Sequence, residues 1–210
     1  MRFPLITTPF KTGPLLFSLC LLFVPTLTPS SISAHPHLFV TTRYILVFEE
    51  QGLKGIQVNW EFDEMYSVGT VESFDENKDG ELNPAEAQEL AKLGTEHLAK
   101  FSYFTNVVVD QTPYPLKLIQ DMKVTYEQSR LFYSFYIPFP VPINNKDRII
   151  KISPYDPEYF AAMFFTQQKP VLFQNAENFQ IQSKIAEDPD TRIYFDMINP
   201  IAITLSIRKK

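Results

Sequence analysis

Residues 75–86 read DENKDGELNPAE, and this stretch decides that a helical hairpin interrupts the chain. It matches the twelve-residue loop with which an EF-hand binds calcium, including Gly80 at the sharp turn of position 6. The oxygen donors expected at positions 1, 3, 5, 7 and 12 are Asp75, Asn77, Asp79, the backbone carbonyl of Glu81, and Glu86. We therefore predict that Ca²⁺ binds here, between two helices.

The sequence on both sides of the loop has a helical pattern. Asp63 is a suitable N-cap for an entering helix over residues 64–74. A leaving helix is expected over roughly residues 85–101, where apolar residues recur at helical spacing. These apolar residues are Ala87, Leu90, Leu93, Leu98 and Phe101. His97 falls within the same stripe, which predicts a packed or interfacial histidine.

Strands are expected before and after this helical hairpin. Residues 38–48 and 56–62 alternate apolar and polar side chains, and a turn with two glycines at 49–55 joins them into a β-hairpin. Further strands are expected at 104–109, 116–127, 131–139, 148–153, 171–173, 179–185 and 201–208. The prolines at 138, 140 and 142 suit an edge or a bulge rather than a central strand. The predicted fold is mainly β, an immunoglobulin-like β-sandwich with an EF-hand inserted at about residues 63–102.

The first 34 residues have the order of a secretory signal: basic residues, a short apolar run and then small residues. We expect cleavage after Ala34, which leaves residues 35–210 as a single periplasmic or secreted domain. Cleavage after Ser33 and a retained membrane anchor are the alternatives. Cys20, the only cysteine, would leave with the signal, so the mature domain would depend on apolar packing and not on disulfides.

Charge and motifs exclude several classes of function. The formal net charge is −5, and the loss of Arg2 and Lys11 with the signal makes it −7. An acidic chain of this kind is not expected to bind nucleic acid, which requires a concentrated basic face. The sequence also lacks the nucleophile elbow, phosphate loop, dinucleotide fingerprint and zinc-protease motif, so we do not expect an enzyme.

A second candidate metal site lies at His35-Pro36-His37. If cleavage follows Ala34, His35 offers its free amine and its imidazole to one metal ion, and His37 can add a third nitrogen from the same side of an extended chain. Three nitrogens suit Ni²⁺, Co²⁺, Zn²⁺ or Cu²⁺. The alternative is a plain strand start with two solvated histidines.

Four stretches in a fixed order resemble one protein family. They are His35-Pro36-His37, the run from Trp60 to Ser67, the run from Phe101 to Phe104, and the run from Tyr155 to Phe160. This order resembles the family called domain of unknown function 1007. The resemblance implies a bacterial periplasmic component of an uncharacterised ABC-type transport system, in some cases associated with a membrane permease for nickel, cobalt or zinc.

Together these observations favour a secreted or periplasmic calcium-binding accessory protein of a transition-metal transport system, whose partner would be a membrane metal permease or ABC transporter. The alternative is a calcium-stabilised structural or interaction protein without a transition-metal role. A third hypothesis, copper-dependent oxygen chemistry at the N-terminal histidines, would need a further histidine, and His97 is the one available.

Overall fold

The computed structural model describes residues 36–210 and consists of two β-sheets with one helical hairpin. The predicted signal segment 1–34 lies outside the described residues. The strands are β1 Leu38–Glu49, β2 Gly52–Phe62, β3 Thr105–Val109, β4 Thr112–Tyr114, β5 Gln120–Glu127, β6 Arg130–Pro142, β7 Arg148–Pro154, β8 Ala161–Phe165, β9 Val171–Gln174, β10 Phe179–Glu187 and β11 Ile201–Lys209. The helices are α1 Glu64–Phe74 and α2 Pro84–Ala99, and a short 3₁₀ turn follows at Ser102–Phe104.

The two sheets have different topologies. The first has the order β5-β6-β2-β1-β8, with β9 also paired to β1, and the second has the order β10-β11-β7-β3-β4. Most pairs are antiparallel, but β8 and β9 both run parallel to β1. The prediction of a mainly β fold built from two sheets is therefore confirmed.

The apolar faces of the two sheets form a shared core. Tyr44 and Phe135 of the first sheet and Ile150 and Ile203 of the second are completely buried. Between the sheets, the rings of Phe48 and Phe179 lie 5.0 Å apart. This burial follows from the alternation along each strand, because every second side chain points to the same face. Removal of these side chains from water is the main stabilising contribution to the domain.

The β1–β2 hairpin is tighter than the sequence indicated. Strand β2 begins at Gly52, so the predicted turn at 49–55 is too long. Gly52 has φ +148, and a Cβ at this position would collide with the carbonyl of Val141 on β6. Gly55 lies where the β2–β6 pairing shifts register, at a β-bulge. The two glycines are therefore places of close strand contact and not loop residues.

The prolines of β6 lie where one side of that strand is unpaired. Strand β5 pairs with β6 only as far as Tyr136, and Pro138, Pro140 and Pro142 follow this point. From there β6 is paired on its β2 side alone, and Pro138 stands opposite the bulge at Gly55. The expectation that these prolines occupy an edge or a bulge is thus correct locally, although β6 is an internal strand over its first half.

The strand prediction was wrong in three places. The expected strand at 116–127 begins only at Gln120, because residues 115–119 are irregular. The short strand β4 at Thr112–Tyr114 was not expected. Strand β8 was missed, because Ala161–Phe165 shows no alternation of apolar and polar residues. Its parallel pairing with β1 depends on residues more than 100 positions away, which no local pattern reveals.

The helical hairpin is attached to the first sheet by polar contacts at the start of α1. The Asp63 carboxylate accepts hydrogen bonds from the N–H of Tyr66 (3.0 Å) and from the N–H of Phe39 on β1 (2.8 Å). Ser67 Oγ donates to the carbonyl of Asp63 (2.6 Å) and accepts from the N–H of Leu131 on β6 (2.9 Å). The predicted N-cap at Asp63 is confirmed, and it also fixes the helix to the sheet.

Asp63→Ala should lower the free energy of unfolding by about 2 kcal/mol, because it removes an N-cap and a charge-assisted bond to β1. Asp63→Asn is the matched control. It keeps one acceptor oxygen and should lose about half as much. Urea unfolding monitored by circular dichroism measures both values, and equal stability of the Ala variant and the native protein would contradict the anchoring role.

A buried ion pair holds the segment between β10 and β11 against the second sheet. Lys151 Nζ lies 2.7 Å from Asp188, whose side chain is 2% exposed, and 3.4 Å from the exposed Asp190. Burial by itself would raise the pKa of Asp188, but hydrogen bonds from Lys151 and Thr191 outweigh it and lower the pKa below its ordinary value. Burial by itself would lower the pKa of Lys151, and the bonds and charges of the two aspartates raise it instead.

Lys151→Met should cost about 3 kcal/mol of unfolding free energy, because Asp188 stays buried without its cation. Because the folded-state pKa of Asp188 is lowered, its contribution is complete above the unfolded carboxyl pKa of about 3.9 and is lost as the pH falls through the folded value. The difference between native protein and variant, measured by urea unfolding, should therefore shrink below about pH 4. Lys184→Met, an exposed lysine on β10, is the control and should change stability by less than about 0.5 kcal/mol.

Candidate functional site

The loop between α1 and α2 folds around its own acidic side chains. The Asp75 carboxylate accepts hydrogen bonds from the N–H of Asp79 (3.2 Å) and of Gly80 (2.7 Å). Asn77 Oδ1 also accepts from the N–H of Asp79 (3.1 Å), and the Asp79 carboxylate accepts from the N–H of Glu81 (2.9 Å). The side-chain oxygens at predicted positions 1, 3 and 5 thus turn toward the inside of the loop.

Two residues of the loop have left-handed backbone conformations. Lys78 has φ +60 and Gly80 has φ +80. A Cβ at Gly80 would meet no atom within 4 Å, so the glycine is required by the backbone conformation and not by lack of space. The predicted sharp turn at position 6 is confirmed.

Glu86, the predicted closing donor, is buried, and both of its carboxylate oxygens accept hydrogen bonds in the structure. One carboxylate oxygen accepts from the N–H of Glu76 at the start of the loop (3.0 Å), and the other accepts from the N–H of Asn83 (2.9 Å). Asn83 in turn caps α2 through the N–H groups of Ala85 and Glu86, which makes a reciprocal capping box. Glu86 therefore already ties the two ends of the loop together.

The donor set suits calcium chemically, because it consists of hard oxygen ligands in the order that such a loop requires. The carboxylates are nevertheless not gathered around one point. Across residues 36–210, no three His, Cys, Asp or Glu side chains form a group that could hold a metal ion. The calcium ligands Asp75, Asn77, Asp79, Glu81 and Glu86 remain predictions, since Glu86 would have to turn from its capping bonds toward the other oxygens.

The three histidines are only partly described. His35 lies outside the described residues. His37 is exposed, and its ring centroid lies 5.0 Å from that of Phe160. His97 is exposed, so the packed alternative is wrong, and its ring lies 5.3 Å from that of Phe101. The apolar stripe of α2 is also narrower than predicted, since Leu90 and Leu98 are buried while Leu93 is 45% exposed.

A cavity of about 560 Å³ lies between the helical hairpin and the first sheet. One wall consists of Leu38, Val40 and Trp60 on strands β1 and β2, and the facing walls come from both helices. His97 lines this cavity, and so does Phe160, the residue that the His37 ring contacts. The structure thus brings the strand start at His37 and the helix residue His97 to the same cavity.

The cavity walls are mostly aromatic. The aromatic residues that line it include Trp60, Phe62, Tyr66, Phe104, Tyr133 and Phe160. The Phe62 ring centroid lies 5.1 Å from that of Tyr66 and 4.7 Å from that of Tyr133. Burial raises the pKa of both tyrosine hydroxyls above its ordinary value. Both therefore stay neutral at physiological pH, and the walls are apolar surfaces without phenolate charge.

Asp156 is a site residue that the sequence did not single out. It is 3% exposed and lines the cavity, and its carboxylate accepts from the N–H of Glu158 (2.9 Å) and of Ala161 (3.0 Å). It therefore holds the turn before β8, and its burial beside a cavity was not predicted. The four stretches that carry the family resemblance all contribute to this cavity or contact one of its wall residues. The fixed order of these four stretches was the signal available in the sequence, whereas their convergence on one cavity is seen only in the structure.

A larger hollow of about 690 Å³ lies on the outer face of the second sheet, around Lys151 and Asp188. Lys151, Asp188 and Asp190 in its lining bond to one another, and this is the ion pair that holds the chain there. Within residues 36–210, no helix is long and apolar enough to cross a membrane.

Comparison with known proteins places the chain in a family. An uncharacterized protein of Haemophilus influenzae is 25% identical over 183 residues, which cover 84% of this chain and 81% of that protein. A family model described as "Protein of unknown function (DUF1007)" matches residues 19–194. The match spans most of the sequence and confirms the resemblance noted above, and the chain therefore belongs to the DUF1007 family.

Proposed function

We propose that the protein binds calcium as an EF-hand in the loop between α1 and α2, and that calcium serves to hold the helical hairpin in place. The observation that carries the proposal is the inward arrangement of Asp75, Asn77 and Asp79, whose oxygens already face the loop interior. Calcium would supply a positive charge to the carboxylates of Asp75 and Asp79. A single loop without a paired partner favours a structural or weakly regulatory role over a switching sensor.

Glu86 is the residue through which binding would act on the helices. Its bonds to Glu76 N–H and Asn83 N–H connect the end of α1 with the start of α2. If the Glu86 carboxylate turned toward the loop oxygens, it would give up these hydrogen bonds and bind calcium instead. The bound calcium would then connect the end of α1 with the start of α2. The loop would then be more rigid, and the helices on either side would keep a fixed separation.

Calcium titration by isothermal calorimetry should give a dissociation constant of about 10⁻⁴ to 10⁻³ M, the range of extracytoplasmic modules. At 10 mM calcium this corresponds to about 1.4–2.7 kcal/mol of added stability and a rise in melting temperature of about 3–10 °C. Glu86→Gln should remove most of the rise, because glutamine keeps the capping box but lacks the charge.

Glu76→Gln is the matched control, since Glu76 is an exposed acid in the same loop that is not a predicted donor. It should bind calcium nearly as well as the native protein. Absence of calorimetric heat and of thermal stabilisation in the native protein would contradict the calcium proposal. Equal losses in the two variants would show a general effect of negative charge and not a specific site.

We further propose the wider role of a periplasmic accessory to a transition-metal permease or ABC transporter, with His35 and His37 as the metal-capturing residues. It is supported by the exposure of His37 and by its position next to Phe160, at the cavity that His97 also lines. The captured Ni²⁺, Co²⁺, Zn²⁺ or Cu²⁺ would be cargo. A calcium-stabilised interaction protein without this role is the alternative, and the histidine variants separate the two.

Metal titration of the exported protein should give a dissociation constant for Ni²⁺ or Cu²⁺ at least about tenfold tighter than that of a version with one extra N-terminal residue, because the extra residue removes the amine from the chelate. His37→Ala should weaken binding in the exported form. His97→Ala tests whether the helix contributes. Equal affinity of the exported and extended forms would overturn the chelate and leave the interaction protein as the better description.

A further inference from the structure

The cavity between the helical hairpin and the first sheet has the dimensions of a small-molecule site. Its volume of about 560 Å³ falls within the range of about 300–1,000 Å³ that is usual for such sites. Neither calcium binding nor metal capture at the N-terminus accounts for it.

Many of the residues that line the cavity are aromatic. Trp60, the single tryptophan of the chain, is 2% exposed, and Phe62 and Tyr133 beside it are also buried. Phe160, at 53% exposure, stands at the mouth. Aromatic faces are electron-rich, so several of them around one space attract a cation more strongly than a neutral molecule of the same shape.

A buried carboxylate lies in the same wall without a cation. Asp156 accepts two backbone N–H bonds, which occupy about half of the roughly four acceptor positions of a carboxylate. Across residues 36–210, no lysine, arginine or histidine forms an ion pair with it. Buried charges are ordinarily paired, because a lone charge is costly to remove from water.

His97 is the single lining residue that can carry positive charge, and it does not neutralise this carboxylate. It is exposed, and its ring lies against Phe101 on the side of α2. The remaining lining residues are apolar, aromatic or hydroxyl-bearing, apart from Asp156 itself. The space therefore combines aromatic faces with one uncompensated negative charge.

We propose that this cavity binds a small apolar organic cation, such as an aryl- or alkylammonium group, held by the aromatic walls and the Asp156 carboxylate. The apolar body of the ligand would contact Trp60 and Phe62, and the ammonium group would lie toward Asp156. The assignment is independent of calcium, whose loop lies at the far end of the two helices from the Asp63 anchor.

Two residues that line the cavity, Trp60 and Gly69, can be used to test the proposal. The fluorescence of Trp60 reports on the cavity alone, because the sequence holds no other tryptophan. Gly69 lines the cavity from α1, and an added Cβ would meet no atom within 4 Å. Gly69→Leu can therefore place a large side chain at the cavity wall without backbone strain, and Gly69→Ala is its matched small control.

The test is titration of the exported protein, at constant calcium, with phenyltrimethylammonium and with its neutral isostere tert-butylbenzene. Trp60 fluorescence and calorimetry are the readouts. The cation should bind at least about tenfold more tightly than the neutral isostere. Asp156→Asn, which keeps one of the two acceptor oxygens and removes the charge, should reduce this preference to about threefold or less. Gly69→Leu should abolish binding of both compounds, whereas Gly69→Ala should keep it.

Equal affinity for the cation and its neutral isostere would overturn the proposal, as would no binding of either at millimolar concentration to protein that circular dichroism shows to be folded. Retained binding in Gly69→Leu would place the compounds elsewhere and would also overturn it. If Asp156→Asn does not fold, the native preference for the cation and the Gly69 pair still decide the matter. A negative result here leaves the calcium titration unaffected, so the two proposals fail separately.

Discussion

The burial of two apolar sheet faces against each other is the interaction on which the rest of the structure depends. Strands β1, β2 and β6 of one sheet and β7 and β11 of the other contribute completely buried side chains to one core. Their register is specified strongly, because a shift of one residue would turn every core side chain to the opposite face. The chain has one cysteine, at position 20, so the described domain has no internal disulfide to add to this packing.

The helical hairpin depends on the first sheet without adding a comparable core of its own. Asp63 and Ser67 fix the start of α1 to β1 and β6 by hydrogen bonds, and Leu90 and Leu98 of α2 supply limited apolar contact. A cavity remains between the two helices and the sheet, and residues of α1, α2, β1 and β2 line it. The proposed calcium loop and the proposed ligand site thus both belong to the helical hairpin, the loop between the two helices and the cavity between the helices and the sheet.

Local patterns predicted the elements well where each element was determined by its own residues. The alternation of 38–48 and the N-cap at Asp63 gave β1 and α1, and Gly80 gave the turn in the loop. Predictions were wrong where pairing between distant residues decided the outcome. Strand β8 pairs parallel to β1, and the glycines at 52 and 55 serve the contact with β6, so a local reading placed them incorrectly.

The candidate site was likewise predicted in part from the local sequence and decided in part by tertiary packing. The sequence alone predicted the candidate oxygen donors of residues 75–86 and their order, because an EF-hand loop takes its ligands from one continuous segment. Only the tertiary structure decided that Glu86 is engaged in capping, that His97 is exposed, and that Trp60, Phe104 and Asp156 meet at one cavity. The physical reason is that burial and convergence are properties of how sheets and helices pack, which the spacing of residues along the chain does not contain.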